Sequence, residues 1–183
     1  MSLNRRTVLI LKGFLNEIRN ILNFKVRHRF VKYGKNVHIQ WNVEIFSPNK
    51  SVLIGNNVGI NSGTVIISDI VVGNDVLVAP RCGFINRGEH TYDVCGQTIF
   101  SGPRARSENI IIKDDVWIGY GSTILGGIVI GEGSVVASGS TVIEDVPEYS
   151  IVAGNPAKVI KMRFTKEEIN THKAMLRKRY EKK

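Results

Sequence analysis

Aliphatic residues recur at every sixth position along most of this chain, and this period constrains the fold more than any other feature. Two runs keep the step without a break, and a shorter run precedes them. The positions are Tyr33, Ile39 and Ile45, then Ile54, Ile60, Ile66, Val72, Val78 and Phe84, then Ile112, Ile118, Ile124, Ile130, Val136 and Val142. A period of six matches neither an α-helix nor a simple alternating strand. It indicates a solenoid in which a short strand and a turn repeat as one unit.

The residues between the aliphatic positions support the same interpretation. A small or branched residue follows most of them four places later, and Gly with Asn or Asp often follows directly, as at 55–57 and 73–75. Gly, Asn and Asp adopt turn conformations that bulkier residues resist. Three such hexads make one triangular coil. The sequence therefore predicts an all-β solenoid, a parallel β-helix of about 4–5 coils over residues 33–163, whose stacked units share one core.

The two ends of the chain predict helices. In residues 1–32, Leu11, Phe14 or Leu15, Ile18 and Leu22 recur at helical spacing, which indicates an amphipathic segment covering the first coil or a neighbouring subunit. In residues 164–183, Thr165 and Glu168 form a capping-box pattern that opens a C-terminal helix.

The net charge of +9 is concentrated at the same two ends. Residues 1–35 hold nine Lys/Arg and one acid, and residues 158–183 hold ten Lys/Arg and three acids, whereas residues 36–157 have a net charge of −6. Basic ends could meet nucleic acid, anionic lipid or a phosphorylated ligand, and solvated helix faces are the simpler alternative. We expect no nucleic-acid partner, and a peripheral membrane contact could be made through the N-terminal helix.

Cysteine usage and hydropathy predict a cytoplasmic location. Two cysteines, Cys82 and Cys95, are too few for a disulfide framework or a zinc site. No apolar run approaches the roughly 20 residues of a membrane helix. The twin-arginine-like start is followed by an apolar stretch that Lys12 interrupts, so it does not make an export signal.

The repeat breaks once, between Phe84 and Ile112, by a distance that is not a multiple of six. We expect residues 86–109 to leave the solenoid as a loop, and long loops on a regular scaffold are often functional. This loop contains His90, one of four histidines. A neutral imidazole is the usual base for deprotonating a hydroxyl near pH 7, while a solvated surface histidine is the common alternative.

The chain resembles the hexapeptide-repeat acyltransferases over about residues 33–163. The resemblance rests on the repeats, on Val116-Trp117-Ile118-Gly119 and on the closing run Ser150-Ile151-Val152-Ala153-Gly154-Asn155-Pro156-Ala157-Lys158-Val159-Ile160. It implies a left-handed β-helix, a homotrimer and acetyl transfer from acetyl-CoA. Within the family the chain most resembles the maltose, galactoside and capsule-sugar O-acetyltransferases. The family's catalytic histidine lies in the same loop, which implies that role for His90.

The resemblance also implies residues that bind the acceptor. It places Asn61 and Asp69 at acceptor positions, where amide and carboxylate groups would pair with sugar hydroxyls. Ordinary turn residues are the alternative for both. Glu89 beside the histidine and Trp117 on the solenoid wall are further candidates. Gly59 stands where relatives often have an aromatic residue.

Residues for acetyl-CoA follow from the same resemblance. Glycine and serine permit a close approach of pantetheine to the backbone. The candidates are Gly119, Tyr120, Gly121, Ser138 and Gly139 for the arm and Lys158 and Lys161 for the phosphates. Solvated lysines are the alternative for the last two, and Glu144 replaces a family lysine nearby.

We expect no metal, because His28, His38 and His172 are scattered and do not make the histidine triad of the β-helical carbonic anhydrases. The predicted function is acetyl transfer from acetyl-CoA to a hydroxyl of a sugar or glycan precursor, with His90 as base. N-acetylation of an amino sugar and a non-catalytic scaffold are the alternatives. The sequence leaves open the acceptor and the roles of Arg104 and Arg106.

Overall fold

The structure, a computed structural model, is a three-sided parallel β-solenoid with a helix at each end. It describes residues 4–104 and 107–181, so Arg106 lies outside the described residues. Each side of the solenoid is one sheet whose strands come from successive turns, and the chain visits the three sheets in a fixed order. Of the described helices, none is long and apolar enough to cross a membrane.

The strands are short, as a repeat of six residues requires. Sheet 1 contains β1 (Val31–Tyr33), β4 (Val52–Ile54), β7 (Ile70–Val72), β10 (Ile110–Ile112) and β13 (Val129–Ile130). Sheet 2 contains β2 (His38–Ile39), β5 (Gly59–Ile60), β8 (Leu77–Val78), β11 (Trp117–Ile118), β14 (Val135–Val136), β16 (Ser150–Gly154) and β17 (Ala157–Met162). Sheet 3 contains β3 (Glu44–Phe46), β6 (Val65–Ile67), β9 (Gly83–Ile85), β12 (Thr123–Leu125) and β15 (Thr141–Val142).

The solenoid has about six turns, so the expected 4–5 coils were too few. Five turns pass through all three sheets, and a sixth begins at Val146, which bridges Ile130, and continues into β16. The six-residue count ended at Val142 because the buried position then recurs after four residues instead of six. Because of this shift, a count based on a six-residue period misses the last turn.

The six-residue period places one aliphatic position of each repeat in the core. The aliphatic positions of the repeat are buried between the three sheets, and the position four residues later fills the corner. At those corners stand small polar residues such as Thr64, Ser122, Ser134 and Ser140, which are also fully buried. Their hydroxyls donate to nearby backbone carbonyls, as Ser134 does to Gly131 at 2.7 Å, so the burial of these groups is satisfied.

The edge between sheets 1 and 2 carries a ladder of amide side chains. Asn56 receives a hydrogen bond from the backbone of Lys35 at 2.8 Å, and Asn74 receives one from the backbone of Asn56 at 2.9 Å. Asp114 accepts the next from Asn74 at 2.7 Å. The following residue on each turn has a left-handed φ, which Asn and Asp tolerate better than most side chains. The Gly-Asn-Asn and Gly-Asn-Asp segments thus form the predicted turns.

Helix α1 (Arg5–Asn20) and a π-helical segment (Ile21–Arg27) cover the first turn. The side chains that face the solenoid are polar. Asn16 and Asn20 are buried, and both side-chain amides donate to the Val37 carbonyl, at 3.1 and 2.7 Å. Phe24 of the π-helical segment is the apolar contact with the core and stacks on Tyr33 at 4.7 Å. Leu11, Phe14, Leu15 and Ile18 of α1 are exposed to solvent.

The other end is closed by the chain after the last turn. Strand β17 pairs antiparallel with β16 and covers the end of sheet 2. The Arg163 guanidinium then binds the Asp115 carboxylate at 2.7 Å and the Gly133 carbonyl at 3.0 Å. This anchor leads into α2 (Lys166–Glu181), which begins at the Thr165–Glu168 capping box. The reciprocal bonds of that box measure 2.8 and 3.2 Å.

Candidate active site

A long loop leaves the solenoid between β9 and β10, at the edge where sheet 3 meets sheet 1. Two sets of hydrogen bonds close its base. The buried Asn86 side chain accepts from the Glu108 backbone at 3.3 Å, and the Ser68 hydroxyl donates to the Glu108 carbonyl at 3.3 Å. Further out, the Thr91 backbone and hydroxyl both donate to the Pro103 carbonyl, at 3.2 and 2.8 Å. The loop is therefore a closed lobe whose outgoing and returning chain segments are hydrogen-bonded to each other.

His90 precedes the outer tie directly and is exposed to solvent. Its ring makes no hydrogen bond with any residue in the described ranges, neither with Glu89 nor with Asp93. Because Thr91 fixes the neighbouring backbone, the position of the imidazole is set by the loop. An exposed imidazole with both nitrogens available can accept a proton from a bound molecule.

A groove of about 420 Å³ separates the loop from the outer side of sheet 3. Apolar side chains of sheet 3 form its floor, and charged groups from the loop and the N-terminal segment form its rim. A cavity of about 280 Å³ continues it beneath the loop. The groove residues used below are Phe46 and Ile67 of the floor, Glu89 and Arg104 of the loop, and Arg27 and His28 of the N-terminal segment.

Asp69 has a different position from the acceptor-facing one that the resemblance implied. It is fully buried, and its carboxylate accepts hydrogen bonds from the Ser47 hydroxyl, from the Asn49 backbone at 3.1 Å and from the Asn49 side chain at 2.6 Å. Burial raises the pKa of this carboxyl, but the bonds from Ser47, Asn49 and Ser51 outweigh burial and hold the pKa below its ordinary value. The carboxylate fixes the turn at 47–51, and Pro48 of that turn lines the smaller cavity.

The residues expected to contact pantetheine lie together on a different edge, where sheet 2 meets sheet 3. The backbone N–H of Gly139 donates to the Tyr120 carbonyl at 2.8 Å, so the two turns are stacked directly. A β-carbon on Gly119 would lie 2.5 Å from the backbone nitrogen of Ser138, which explains the glycine. Gly121 has a left-handed φ of 66° and has open space beside it.

Asn61 and Trp117 also belong to sheet 2 and its edge toward sheet 3. Asn61 follows β5 directly, and its side-chain amide donates to the Val78 carbonyl at 2.8 Å. The amide nitrogen of Asn61 therefore already has a hydrogen-bond partner. Trp117 projects outward from β11 and remains 54% exposed. Leu77, on the preceding turn, is equally exposed beside it. This part of the wall is therefore an apolar surface.

The two lysines assigned to the CoA phosphates lie on β17, at the end of sheet 2. Lys158 forms an exposed ion pair with Glu144 at 3.2 Å, so the glutamate that replaces a family lysine binds the Lys158 ammonium directly. Lys161 is exposed, and within the described residues its ammonium has no ion-pair partner. Both ammonium groups are free to reorganise around a phosphate, because exposed pairs of this kind are weak.

The site residues therefore divide between two edges of the solenoid. The loop that carries Glu89 and His90 leaves at the edge of sheets 3 and 1, where Asp69 also lies, whereas Asn61, Tyr120 and Ser138 lie along the edge of sheets 2 and 3. Sheet 3 separates these two edges within one subunit. Within one copy of the chain, the loop that carries His90 and the expected CoA surface therefore start from different edges.

Two contributions to the site were missed by sequence reasoning. Arg27 and His28 reach the groove because α1 and the π-helical segment fold back over the first turn. The Arg81 guanidinium lies 6.0 Å from the ring of Tyr120 and adds a cation to the expected CoA surface. The six-residue period does not predict the positions of Arg27 and His28. It could have predicted the position of Arg81, because Arg81 occupies the turn that stacks below Tyr120.

No metal site is visible in the part of the chain that the structure describes, where no three His, Cys, Asp or Glu side chains converge. Cys82 is buried and Cys95 is exposed, and neither forms a disulfide. Burial raises the pKa of the Cys82 thiol, which keeps it in the neutral form.

Comparison with known proteins agrees with this architecture. Residues 109–144 match the family model described as bacterial transferase hexapeptide (six repeats). The chain is 38% identical over 124 residues to a proposed acetyltransferase of Saccharomyces cerevisiae, covering 67% of this chain and 61% of the relative. It is 52% identical over 118 residues to a chloramphenicol acetyltransferase of Klebsiella aerogenes, covering 57% and 56%. The chain thus spans about three fifths of the length of these curated relatives.

Solved structures share the fold. A hexapeptide-repeat acetyltransferase of Vibrio cholerae, complexed with acetyl-CoA, aligns with a TM-score of 0.67 at 25% identity over 88% of this chain and 91% of its own. A maltose O-acetyltransferase of Clostridium difficile aligns with a TM-score of 0.51 at 26% identity, over 74% and 67%. The chain contains the bacterial transferase hexapeptide repeat, and this repeat implies the left-handed form of the β-helix.

Asp69 provides a test of the turn beside the groove. Asp69→Ala should lower the free energy of unfolding at pH 7 by about 2–3 kcal/mol, because the buried Ser47 hydroxyl and the donors of Asn49 lose their acceptor. The pKa of Asp69 is lowered by folding, so its contribution is complete above about pH 4 and is lost as pH falls further. Denaturant titrations across pH should show the difference from wild type shrinking below that value.

The exposed loop carboxylate Asp93 is the matched control, and Asp93→Ala should change stability little at any pH. A wild-type stability for Asp69→Ala, or a difference independent of pH in acid, would contradict the assigned role.

Proposed function

We propose that this protein is an acetyl-CoA-dependent O-acetyltransferase that acts on a hydroxyl of a sugar or glycan precursor. The observation that carries the proposal is the single interruption of the repeat. It forms a closed lobe that carries the exposed imidazole of His90, and the adjacent Glu89 lines an apolar-floored groove with a charged rim. The acetyl-CoA complex of the Vibrio cholerae relative supports the donor, and the maltose O-acetyltransferase supports a sugar acceptor.

The chemistry requires one base and one oxyanion donor. His90 removes the proton of the acceptor hydroxyl as that oxygen attacks the thioester carbonyl of acetyl-CoA. The tetrahedral oxyanion is held by a backbone N–H, and collapse expels the CoA thiolate, which takes the proton from the imidazolium. The acceptor leaves as an acetyl ester. No covalent enzyme intermediate is needed, because both substrates are bound together.

The groove beneath the loop fits the acceptor. Phe46 and Ile67 offer an apolar floor against which one face of a sugar ring can lie, and Glu89 and Arg104 offer a carboxylate and a guanidinium to hydroxyl or acidic groups. Arg27 adds a second cation at the rim. Asp69 then acts by holding the 47–51 turn instead of contacting the acceptor.

N-acetyl transfer to an amino sugar is the second candidate. A tetrahydropyridine-dicarboxylate N-acetyltransferase of Clostridium perfringens is 63% identical over 51 residues, which cover 28% of this chain. An amine with the same geometry would use the same base and the same donor. The two functions differ only in the acceptor, so acceptor assays separate them.

The first test measures CoA release from acetyl-CoA with sugars, amino sugars and chloramphenicol as acceptors. Wild type should acetylate a sugar hydroxyl. His90→Ala should lower turnover by about 10²–10⁴-fold, because the hydroxyl loses its base. The fold and the affinity for CoA should remain, since the ring is exposed and makes no hydrogen bond within the described residues.

His38→Ala is the matched control, because His38 is also exposed and lies on sheet 2 away from the loop. It should keep full turnover. Near-normal turnover of His90→Ala would remove His90 from the mechanism, and a protein that ignores acetyl-CoA would be a scaffold instead.

The division of the site between two edges supports a homotrimer, in which His90 of one subunit faces CoA bound along the sheet 2 and sheet 3 edge of the next. Light scattering should give three times the 20.4 kDa chain mass. Ser138→Trp, which fills the exposed edge, and His90→Ala should each be inactive alone, and co-expressed subunits should regain part of the activity. A fully active monomer would contradict this assembly.

The phosphates of CoA give a further test. Lys158→Ala combined with Lys161→Ala should weaken acetyl-CoA binding roughly tenfold, or about 1.4 kcal/mol. The loss should shrink at high salt and should be absent for a pantetheine thioester without the adenosine phosphates. Glu144→Gln should strengthen binding slightly, since Glu144 competes for Lys158. Calorimetry measures all three, and equal weakening of both donors would show that these lysines do not hold phosphate.

A further inference from the structure

An ordinary amphipathic helix buries its apolar face, whereas the N-terminal helix packs on the solenoid through polar side chains. Its buried side chains are mainly amides, namely Asn16, Asn20 and Asn23. Seven large apolar side chains face away and are between 37% and 67% exposed. We call them the apolar stripe: Leu11, Phe14, Leu15, Ile18, Ile21, Leu22 and Val26. A helix stabilised only by this subunit would bury those residues, so the stripe has another partner.

The contacts that attach the helix to the solenoid leave the apolar stripe available to another partner. The Asn16 and Asn20 amides both donate to the single carbonyl of Val37, which fixes the helix on the first turn without using its apolar side. Phe24 enters the core just beyond and anchors the π-helical segment. The stripe is thus presented on the outer side of the helix at one end of the solenoid.

Charge distinguishes between the partners that an apolar stripe can have. The exposed side chains of Lys12, Lys25 and Arg29 accompany the stripe, and Glu17 is the single acid in residues 1–35. Packing two or three copies of this segment against each other would bring cations together at an apolar contact, which is unfavourable. An anionic lipid surface accepts both the apolar stripe and the cations.

We infer that α1 and the π-helical segment bind the surface of an anionic membrane, with the apolar stripe inserted at the headgroup boundary. The net negative charge of residues 36–157 favours the same orientation, because the body of the protein is repelled while the basic end is attracted. The inference is independent of the proposed catalytic function, since it uses no residue of the loop or of the CoA surface.

Vesicle flotation tests the inference on the full-length protein. Wild type should bind vesicles of phosphatidylcholine mixed with phosphatidylglycerol at least about tenfold more tightly than vesicles of phosphatidylcholine alone, and high salt should reduce the difference. Phe14→Ser with Ile18→Ser and Leu22→Ser should abolish binding. Lys12→Glu with Lys25→Glu should lose the preference for the anionic lipid.

The matched control removes three exposed apolar side chains at the opposite end of the solenoid, by Val159→Ser, Ile160→Ser and Met175→Ser. It should bind vesicles as wild type does. Circular dichroism confirms that each variant is folded, and the comparison of the two lipids by wild type needs no variant.

Two results would overturn the inference: wild type does not bind anionic vesicles, or the triple serine variant of the stripe binds them as tightly as wild type. In the first case, light scattering of the triple serine variant shows whether it has lost oligomer mass. Such a loss would assign the apolar stripe to a second copy of the chain.

Discussion

Parallel pairing between successive turns is the constraint on which the rest of this structure depends. Each strand of two or three residues is too short to be stable alone, and it exists because the turns on either side bond to it in register. The register places the same repeat position above itself on every turn. Aliphatic columns from the three sheets then fill the interior, and the polar corner positions are tolerated because their hydroxyls bond to the adjacent backbone.

This constraint explains which parts of the structure could be predicted from the sequence. The strands, the loop and the turns follow from local spacing, since a break in a period of six must leave the solenoid. The number of turns was underestimated because the period shifts at Val146. The burial of Asp69 was not predictable either. It depends on the turn at 47–51, which lies one turn away in space, and spacing along the chain contains no information about that contact.

The placement of the site residues shows a second limit of sequence reasoning. His90 and Glu89 are adjacent in sequence, and the resemblance groups His90 with Asn61. In the structure, the loop that carries His90 leaves at the edge of sheets 3 and 1, whereas Asn61 lies at the edge of sheets 2 and 3. Similarly, the helical spacing in residues 11–22 identifies an apolar stripe correctly but does not say whether it faces inward. The amide bonds to Val37 decide that question, and they are tertiary contacts.

The closed base of the loop has a consequence for how proteins of this kind diversify. Asn86 and Glu108 meet at the edge of the solenoid, so the chain returns to the place it left, and β7, β10 and β13 pair as if nothing had been inserted. Lengthening a closed loop adds only slowly to its entropic cost. The scaffold can therefore exchange this lobe for one of another length and composition while its ladder stays intact. The length and composition of the loop and the pairing of the strands can therefore change independently of each other.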